Sequence, residues 1–211
     1  MSDKILAPSL LSANFGDLAA SVKKIQEGGA GVVHIDVMDG TFVPEVSFGQ
    51  VVVRSIRPLT TLPFDVHLMV QNPERQIESF AAAGADWITF HQEAACGNEA
   101  QLLQKIRSLG KKAGISVKPA TSIELLKNSL KFADIILIMT VEPGFGGQKL
   151  IPQCLDKVRE LVKIRSERGL SYKISVDGGV NAQTLDTVLQ SGVDVVVSGS
   201  AFFNGSLGWR N

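Results

Sequence analysis

Ile135-Ile136-Leu137-Ile138 and, further along the chain, Val195-Val196-Val197 are apolar at every position. A strand with one wet face alternates; these runs do not, so both faces are buried, as in parallel sheets covered by helices. Similar β-branched runs lie on either side. The set of expected strands is 5–8, 32–37, 64–69, 87–91, 113–117, 135–140, 173–176 and 193–198. Helical patterns separate them. One runs from Pro73 to Ala83, with proline at a first helical position after Asn72 and Gly84 as its stop. Another runs from Glu99 to Leu109 before Gly110, and a third from Pro152 to Arg168 before Gly169. Eight strands in 211 residues recur about every 26 residues, room for a strand, a helix and two short loops. The pattern predicts a single (β/α)8 TIM barrel over residues 1–211. An open doubly wound sheet would carry a glycine-rich turn after its first strand, where this chain reads Ser9-Leu10-Leu11-Ser12. After the eighth strand only Gly199 to Asn211 remain, so the last barrel helix is expected to be short or missing. Apolar surface over strands one and eight then needs a cover. A neighbouring subunit or a terminal rearrangement would supply it, and a homo-oligomer is expected.

Composition narrows the function. Apolar residues make up 45% and charged residues 20%, and 21 Lys plus Arg balance 21 Asp plus Glu. No basic footprint for nucleic acid or cationic face for a membrane results. No apolar run approaches the roughly 18 residues that span a bilayer. The N-terminus lacks the apolar stretch of a signal peptide. Cys96 and Cys154 stand far apart, which indicates neither a disulfide framework nor a zinc knuckle. A cytoplasmic, reduced protein is expected.

The C-terminal ends of barrel strands carry the chemistry in this architecture. Strand two ends His34-Ile35-Asp36-Val37-Met38-Asp39-Gly40, and alternation puts His34, Asp36 and Met38 on one face. Strand three ends Asp65-Val66-His67-Leu68-Met69, with His67 and Met69 together; strand seven ends Ser175-Val176-Asp177-Gly178-Gly179. Any one of these histidines alone reads as a hydrogen-bonded strand-end residue. His34, Asp36, His67 and Asp177 converging on one barrel mouth read as a divalent metal site, because two buried carboxylates need compensation. The shell suits Zn2+, Fe2+, Mn2+ or Co2+. Glycine clusters follow strand six (Gly144-Phe145-Gly146-Gly147) and strand seven (Gly178-Gly179), and Ser198-Gly199-Ser200 follows strand eight. They make tight turns or present backbone N–H groups to a phosphate, and clustering at adjacent strand ends favours the second. No arginine stands in these loops, so affinity would rest on backbone dipoles; Lys149 reads as a solvated helix residue.

The combination resembles the ribulose-phosphate 3-epimerase family. The resemblance is carried by His34-x-Asp36-x-Met38-Asp39-Gly40-x-Phe42-Val43-Pro44, His67-Leu68-Met69-Val70, Met139-Thr140-Val141-x-Pro143-Gly144-Phe145-Gly146-Gly147-Gln148 and Val176-Asp177-Gly178-Gly179-Val180. Ala7-Pro8-Ser9 and Gly199-Ser200-Ala201 extend it, so that it runs from Ile5 to about Phe203. It implies interconversion of D-ribulose 5-phosphate and D-xylulose 5-phosphate by inversion at C3. The C3 proton adjoins the C2 carbonyl, and its removal leaves an enediolate whose charge needs a Lewis acid. Asp36 and Asp177, from strands far apart round the barrel, would flank that planar species as the two proton carriers, one starting protonated and one ionised. The resemblance makes both of them metal ligands with His34 and His67. It also makes Met38, Met69 and Met139 an uncharged wall beside the enediolate, where each alone would read as core filler. The expected substrate-binding set is Ser9, Met38, His67, Met69, Met139, Gly144, Phe145, Gly146, Gly147, Asp177, Gly178, Gly179, Gly199 and Ser200. Ser9 contacts the sugar and Ser200 the phosphate. His91 matches a position outside the metal shell and reads as structural support.

Three positions depart from the family pattern: Glu45 follows Val43-Pro44 where asparagine is frequent, Lys118 stands where many members carry asparagine, and Ser175 replaces a residue that is commonly acidic or an amide. None removes an expected ligand. Two rival readings are an epimerase of a six-carbon ketose phosphate such as allulose 6-phosphate, and a non-catalytic phosphosugar-binding barrel. The complete His34/Asp36/His67/Asp177 set argues against the second.

Overall fold

A computed structural model describes residues 4–209, leaving 1–3 and 210–211 outside the described residues. The first residues of the expected 1–211 domain and the end of the C-terminal segment fall in that undescribed part. Eight strands are present: β1 (Ile5–Pro8), β2 (Val33–Met38), β3 (Phe64–Met69), β4 (Trp87–His91), β5 (Lys112–Val117), β6 (Ile135–Met139), β7 (Lys173–Asp177) and β8 (Val195–Ser198). All ladders are parallel, in the order β1-β8-β7-β6-β5-β4-β3-β2. The circle closes between β1 and β2 through a single bridge, Ser9 to His34, and the bond from Gly31 N–H to Leu6 C=O at 3.0 Å. This is the nearly closed TIM barrel that the apolar runs predict.

Seven α-helices are present among the described residues, six between strands and the last after β8: α1 (Leu18–Glu27), α2 (Gln50–Ile56), α3 (Ile77–Ala83), α4 (Glu99–Ser108), α5 (Cys154–Glu167), α6 (Leu185–Gln190) and α7 (Ser200–Phe203). α5 buries Cys154, Leu155, Val158 and Leu161, one stripe at helical spacing. Two expected helices start later than read. Pro73–Arg75 forms a 3-10 turn, its Asn72 side chain capping nothing, and Pro152 heads a turn in which Leu155 N–H reaches its carbonyl. After β5 no α-helix forms; two 3-10 turns, Ile123–Leu126 and Leu130–Phe132, fill the place. The run 193–198 begins its ladder only at Val195.

An aspartate clip recurs. Asp86, Asp134 and Asp194 precede β4, β6 and β8. Each Oδ2 accepts a backbone N–H at the start of the preceding strand: from Phe64 at 2.8 Å, Ala113 at 2.9 Å and Ile174 at 2.8 Å. Each backbone N–H returns a bond to the same residue's carbonyl (2.9, 2.7 and 2.8 Å). An arginine from the segment before that strand meets each carboxylate, Arg57 at 3.0 Å, Arg107 at 3.9 Å and Arg165 at 2.5 Å. Gly31 holds the fourth place without a side chain; a Cβ there would stand 2.9 Å from Ile5 Cγ2.

Alternation divides the strand residues. Leu6, Val33, Ile35, Ile136, Val176 and Val196 belong to the core between sheet and helices, while Ala7, Val32, Val195 and Val197, with Ile5 and Trp87, form a small apolar plug inside the barrel. The last helix is short, as expected, but the face over β1 and β8 is covered. Leu6 and Val196 are buried, Ala201 and Leu207 are buried beside them, and Phe202, Phe203 and Trp209 pack half-buried on the same core. Gly205 lets the chain turn back after α7, so the tail does the work of the missing turns. Of the two expected covers, a neighbouring subunit or a terminal rearrangement, the described residues supply the second. No helix among the described residues is long and apolar enough to cross a membrane.

Candidate active site

The inward residues of β2 and β3 lie side by side in register: His34 with Asp65, Asp36 with His67, Met38 with Met69. The polar four of these are at most 3% exposed. His34 donates from Nδ1 to Asp65 Oδ2 at 2.8 Å. That leaves Nε2 facing Asp36 Oδ1 at 3.3 Å and Asp177 Oδ2 at 3.8 Å. His34 Nε2 is buried and makes no well-formed hydrogen bond among the described residues. His67 Nδ1 sits 3.0 Å from Asp36 Oδ1 and 3.8 Å from Asp177 Oδ2. One ligand atom from each of His34, Asp36, His67 and Asp177 lies within 4.8 Å of the others. Two imidazole nitrogens and two carboxylate oxygens gathered this closely, one of them an orphaned buried nitrogen, fit a divalent cation.

The two carboxyls sit in unlike surroundings. Burial opposes the charge on Asp36, but His34 and His67 outweigh it and hold this carboxyl far below the usual range. Ser9 Oγ–H adds a bond to Asp36 Oδ2 at 2.5 Å. Asp177 goes the other way: burial, then the neighbouring Asp36 charge, raise its pKa well above the ordinary carboxylate value. Burial would lower His34, yet the charges of Asp36 and Asp65 hold its imidazole well above the ordinary value. The surroundings push the two proton affinities apart, Asp36 down and Asp177 up, the condition for paired acid and base roles.

Above the quartet opens a cleft of about 740 Å³, mouth included. It is lined by Ser9, Met38, Met69, Met139, Asp36, Asp177, Gly144, Phe145, Gly146, Gly147, Gly178, Gly179, Gly199 and Ser200. Every expected substrate contact is therefore on its wall except His67, which lies beneath, fully buried. The three methionines are buried on the inner face; Phe145, at 56% exposure, stands at the rim. Gly178 and Gly179 are also demanded by packing: a Cβ would stand 2.4 Å from Val141 Cγ2 or 2.2 Å from Leu150 N. The loop after β7 is held by Thr140, whose hydroxyl donates to the carbonyls of Asp177 (2.9 Å) and Gly178 (2.6 Å). Lys149 is exposed, in the loop before α5 rather than on a helix.

Sequence reasoning missed several residues. Ser12 lines the cleft and would stand 2.3 Å from a Cβ on Gly199, so it comes up against the loop after β8. Gln148 and Asn181 line it too. Asp65, quoted only as a neighbour of His67, supports His34. His91, read as structural, places Nε2 2.9 Å from His67 Nε2 and Nδ1 3.2 Å from Glu93 Oε2. Burial pushes its pKa down to about 4. Glu93 accepts from Lys118 N–H at 2.8 Å and from Thr121 Oγ1–H. With the His91 bond these overcome partial burial and lower it to about 2. Among the departures, Lys118 Nζ lies over the Phe42 ring, 4.0 Å from its centroid, and that ring packs on His91 at 4.8 Å. Ser175 Oγ is buried without a partner among the described residues, and nothing in the structure explains it.

A profile of the ribulose-phosphate 3 epimerase family matches residues 5–203. The chain belongs to this family. Ribulose-phosphate 3-epimerase of Treponema pallidum (strain Nichols) is 53% identical, the match covering 96% of this chain and 92% of the relative. The Bacillus subtilis (strain 168) and Escherichia coli (strain K12) proteins of the same name are each 44% identical, covering 95% and 97% of this chain and 93% and 91% of the relatives. A tryptophan synthase alpha-subunit from Pyrococcus furiosus superposes with a TM-score of 0.70 at 18% identity, over 94% of this chain and 88% of that one, which speaks to the barrel alone. For this member of the ribulose-phosphate 3-epimerase family, the fold and the family agree.

Proposed function

We infer that this chain is a ribulose-phosphate 3-epimerase, interconverting D-ribulose 5-phosphate and D-xylulose 5-phosphate by inversion at C3. The observation that carries the reading is the quartet itself. Asp36 and Asp177 come from β2 and β7 to one cleft floor, with unlike proton affinities, beside two imidazoles. Family membership supports the substrate.

His34 Nε2, His67 Nδ1 and one oxygen each of Asp36 and Asp177 are the atoms that would hold a divalent cation. Bound there, it supplies Lewis-acid compensation for negative charge on the substrate oxygens, and lowers the proton affinity of both aspartates. The remaining work falls to the chain. The ionised carboxylate removes the C3 proton from one face, and the protonated carboxyl delivers one to the other. In the reverse direction the roles exchange. Ser9 holds Asp36 Oδ2, which leaves Oδ1 toward the imidazoles. Met38, Met69 and Met139 offer no proton and keep water from the planar species. The glycine loops after β6, β7 and β8, with Ser200, form the phosphate end of this reading, through backbone N–H groups and without a cationic side chain. Two unpaired thiols, Cys154 buried and Cys96 exposed, suit a reducing cytoplasm.

The test is turnover of D-ribulose 5-phosphate in D2O, followed by NMR. The product expected is D-xylulose 5-phosphate carrying deuterium at C3. Faster turnover of a six-carbon ketose phosphate would overturn the substrate assignment, and binding without exchange would overturn the enzyme assignment.

A further inference from the structure

We propose that Glu93 is a positioning residue for the cation site: acting through His91, it keeps the proton of His67 on Nε2 and the Nδ1 lone pair free for the cation. The inference rests on the metal reading above.

The argument is one of proton counting along a row of hydrogen bonds. His67 and His91 approach through their Nε2 atoms at 2.9 Å, with rings 5.0 Å apart. Two ring nitrogens at that distance share one proton, so one donates and the other accepts. If His91 donated, its Nδ1 would be a bare acceptor. That Nδ1 faces Glu93 Oε2 at 3.2 Å, and two acceptors would then oppose each other. With the carboxylate ionised, the consistent arrangement has His91 Nδ1–H donating to Glu93 and His67 Nε2–H donating to His91. His67 Nδ1 is then unprotonated, 3.0 Å from Asp36 Oδ1 and 3.8 Å from Asp177 Oδ2, and a cation held between these acceptors is what makes the tautomer consistent at this end as well. A neutral imidazole with one nitrogen bare is what a metal ion requires, and the hydrogen bond made by the other nitrogen decides which one it is. Asp65 does the same directly for His34. The two ligand imidazoles are thus set by two carboxylates, one in contact and one at a ring's remove.

The carboxylate of Glu93 is itself held. Oε1 accepts from Lys118 N–H and Thr121 Oγ1–H, and Lys157 Nζ donates to the carbonyls of Lys118 (3.1 Å), Pro119 (2.7 Å) and Thr121 (2.6 Å). The ammonium of Lys157 on α5 therefore fixes the loop after β5, which aims Glu93 at His91.

Two measurements test this. Long-range 1H–15N spectra of the Zn2+-loaded protein, labelled at histidine, are expected to show His91 as the Nδ1–H tautomer and His67 protonated at Nε2; His91 protonated at Nε2 overturns the proposal. Chelator competition with Co2+ is then run on wild type, Glu93→Ala and Glu124→Ala. Glu93→Ala is expected to weaken binding about 10–100-fold, while Glu124→Ala, which removes an exposed carboxylate paired with Lys127 and outside the relay, binds as wild type. Equal binding in all three, or equal loss in both variants, overturns the relay. A wild-type protein that takes up no cation overturns the metal reading and this inference with it, before any variant is compared.

Discussion

His34 Nδ1 and Asp65 Oδ2 stand 2.8 Å apart, next to each other on β2 and β3. A carboxylate accepts only, so this contact puts the ring proton on Nδ1 and turns a bare Nε2 toward Asp36 and Asp177 when the imidazole is neutral. Among the described residues Asp65 hydrogen-bonds no other member of the quartet, and it does not line the cleft. Asp65→Asn is therefore expected to weaken cation binding by about tenfold or more, with the far-UV circular dichroism of wild type. Chelator competition measures it, and unchanged affinity would show that Asp65 serves packing alone.

The clips at the opposite end of the barrel serve stability. Asp194 Oδ2 accepts from Ile174 N–H and from Arg165, and its removal strands a partly buried guanidinium and a strand N–H. Asp194→Ala is expected to cost about 2–4 kcal/mol in urea unfolding. By contrast Lys23 and Glu27, an exposed pair 3.7 Å apart, should contribute under about 0.5 kcal/mol. The KM of Asp194→Ala for the sugar phosphate should match wild type, since the clip is remote from the cleft; a large change in KM would contradict the division of labour between the two ends.

Tyr172 gives a pH test with a direct signal, because it is the chain's only tyrosine. Its hydroxyl donates to Leu161 C=O at 2.8 Å, and burial raises its pKa from 10 to about 12. The folded state then holds the proton more tightly than the unfolded chain. The stability linked to this group is present in full below pH 10 and is lost as pH rises towards 12. Phenolate absorbance should titrate near 12 in the native protein and near 10 in urea. The stability difference between wild type and Tyr172→Phe should shrink over the same window. A native midpoint near 10 would contradict the buried hydrogen bond.

Gly179 is a packing requirement as well as a cleft residue. Its φ is +69°, and a Cβ added to it would come within 2.2 Å of Leu150 N. Gly179→Ala must therefore both strain the backbone and move the loop after β6. The strain alone is worth about 1–3 kcal/mol. A lower unfolding midpoint together with a raised KM for the sugar phosphate is expected; wild-type values for both would mean that the two loops are not coupled.

Strand positions were legible because continuous apolarity is a strong signal that survives without tertiary information, and because the reactive residues end those same strands at a spacing of two. His34, Asp36, Met38, His67 and Met69 follow from alternation alone. What alternation does not supply is which inward residue meets which across the barrel. The His67–His91 contact crosses from β3 to β4, and the Ser12–Gly199 approach depends on β1 pairing with β8; neither is encoded locally. The aspartate clips left a trace that could have been read, in Ala85-Asp86, Ala133-Asp134 and Val193-Asp194 before alternate strands. The short last helix was legible from the few residues after β8, but which of the two expected covers is used depends on where Phe202, Leu207 and Trp209 pack, and that is not encoded locally.

The central claim is that Asp36 and Asp177 work as opposed proton carriers at one cation site. It is tested most directly by measuring C3 inversion and bound metal together in wild type, Asp36→Asn and Asp177→Asn. The account predicts inversion lost by at least about 10²–10⁴-fold in each variant, with D-ribulose 5-phosphate still bound, and loss of wild-type activity when the cation is stripped by chelation. Near-normal inversion in either variant, or in the stripped wild type, would contradict it.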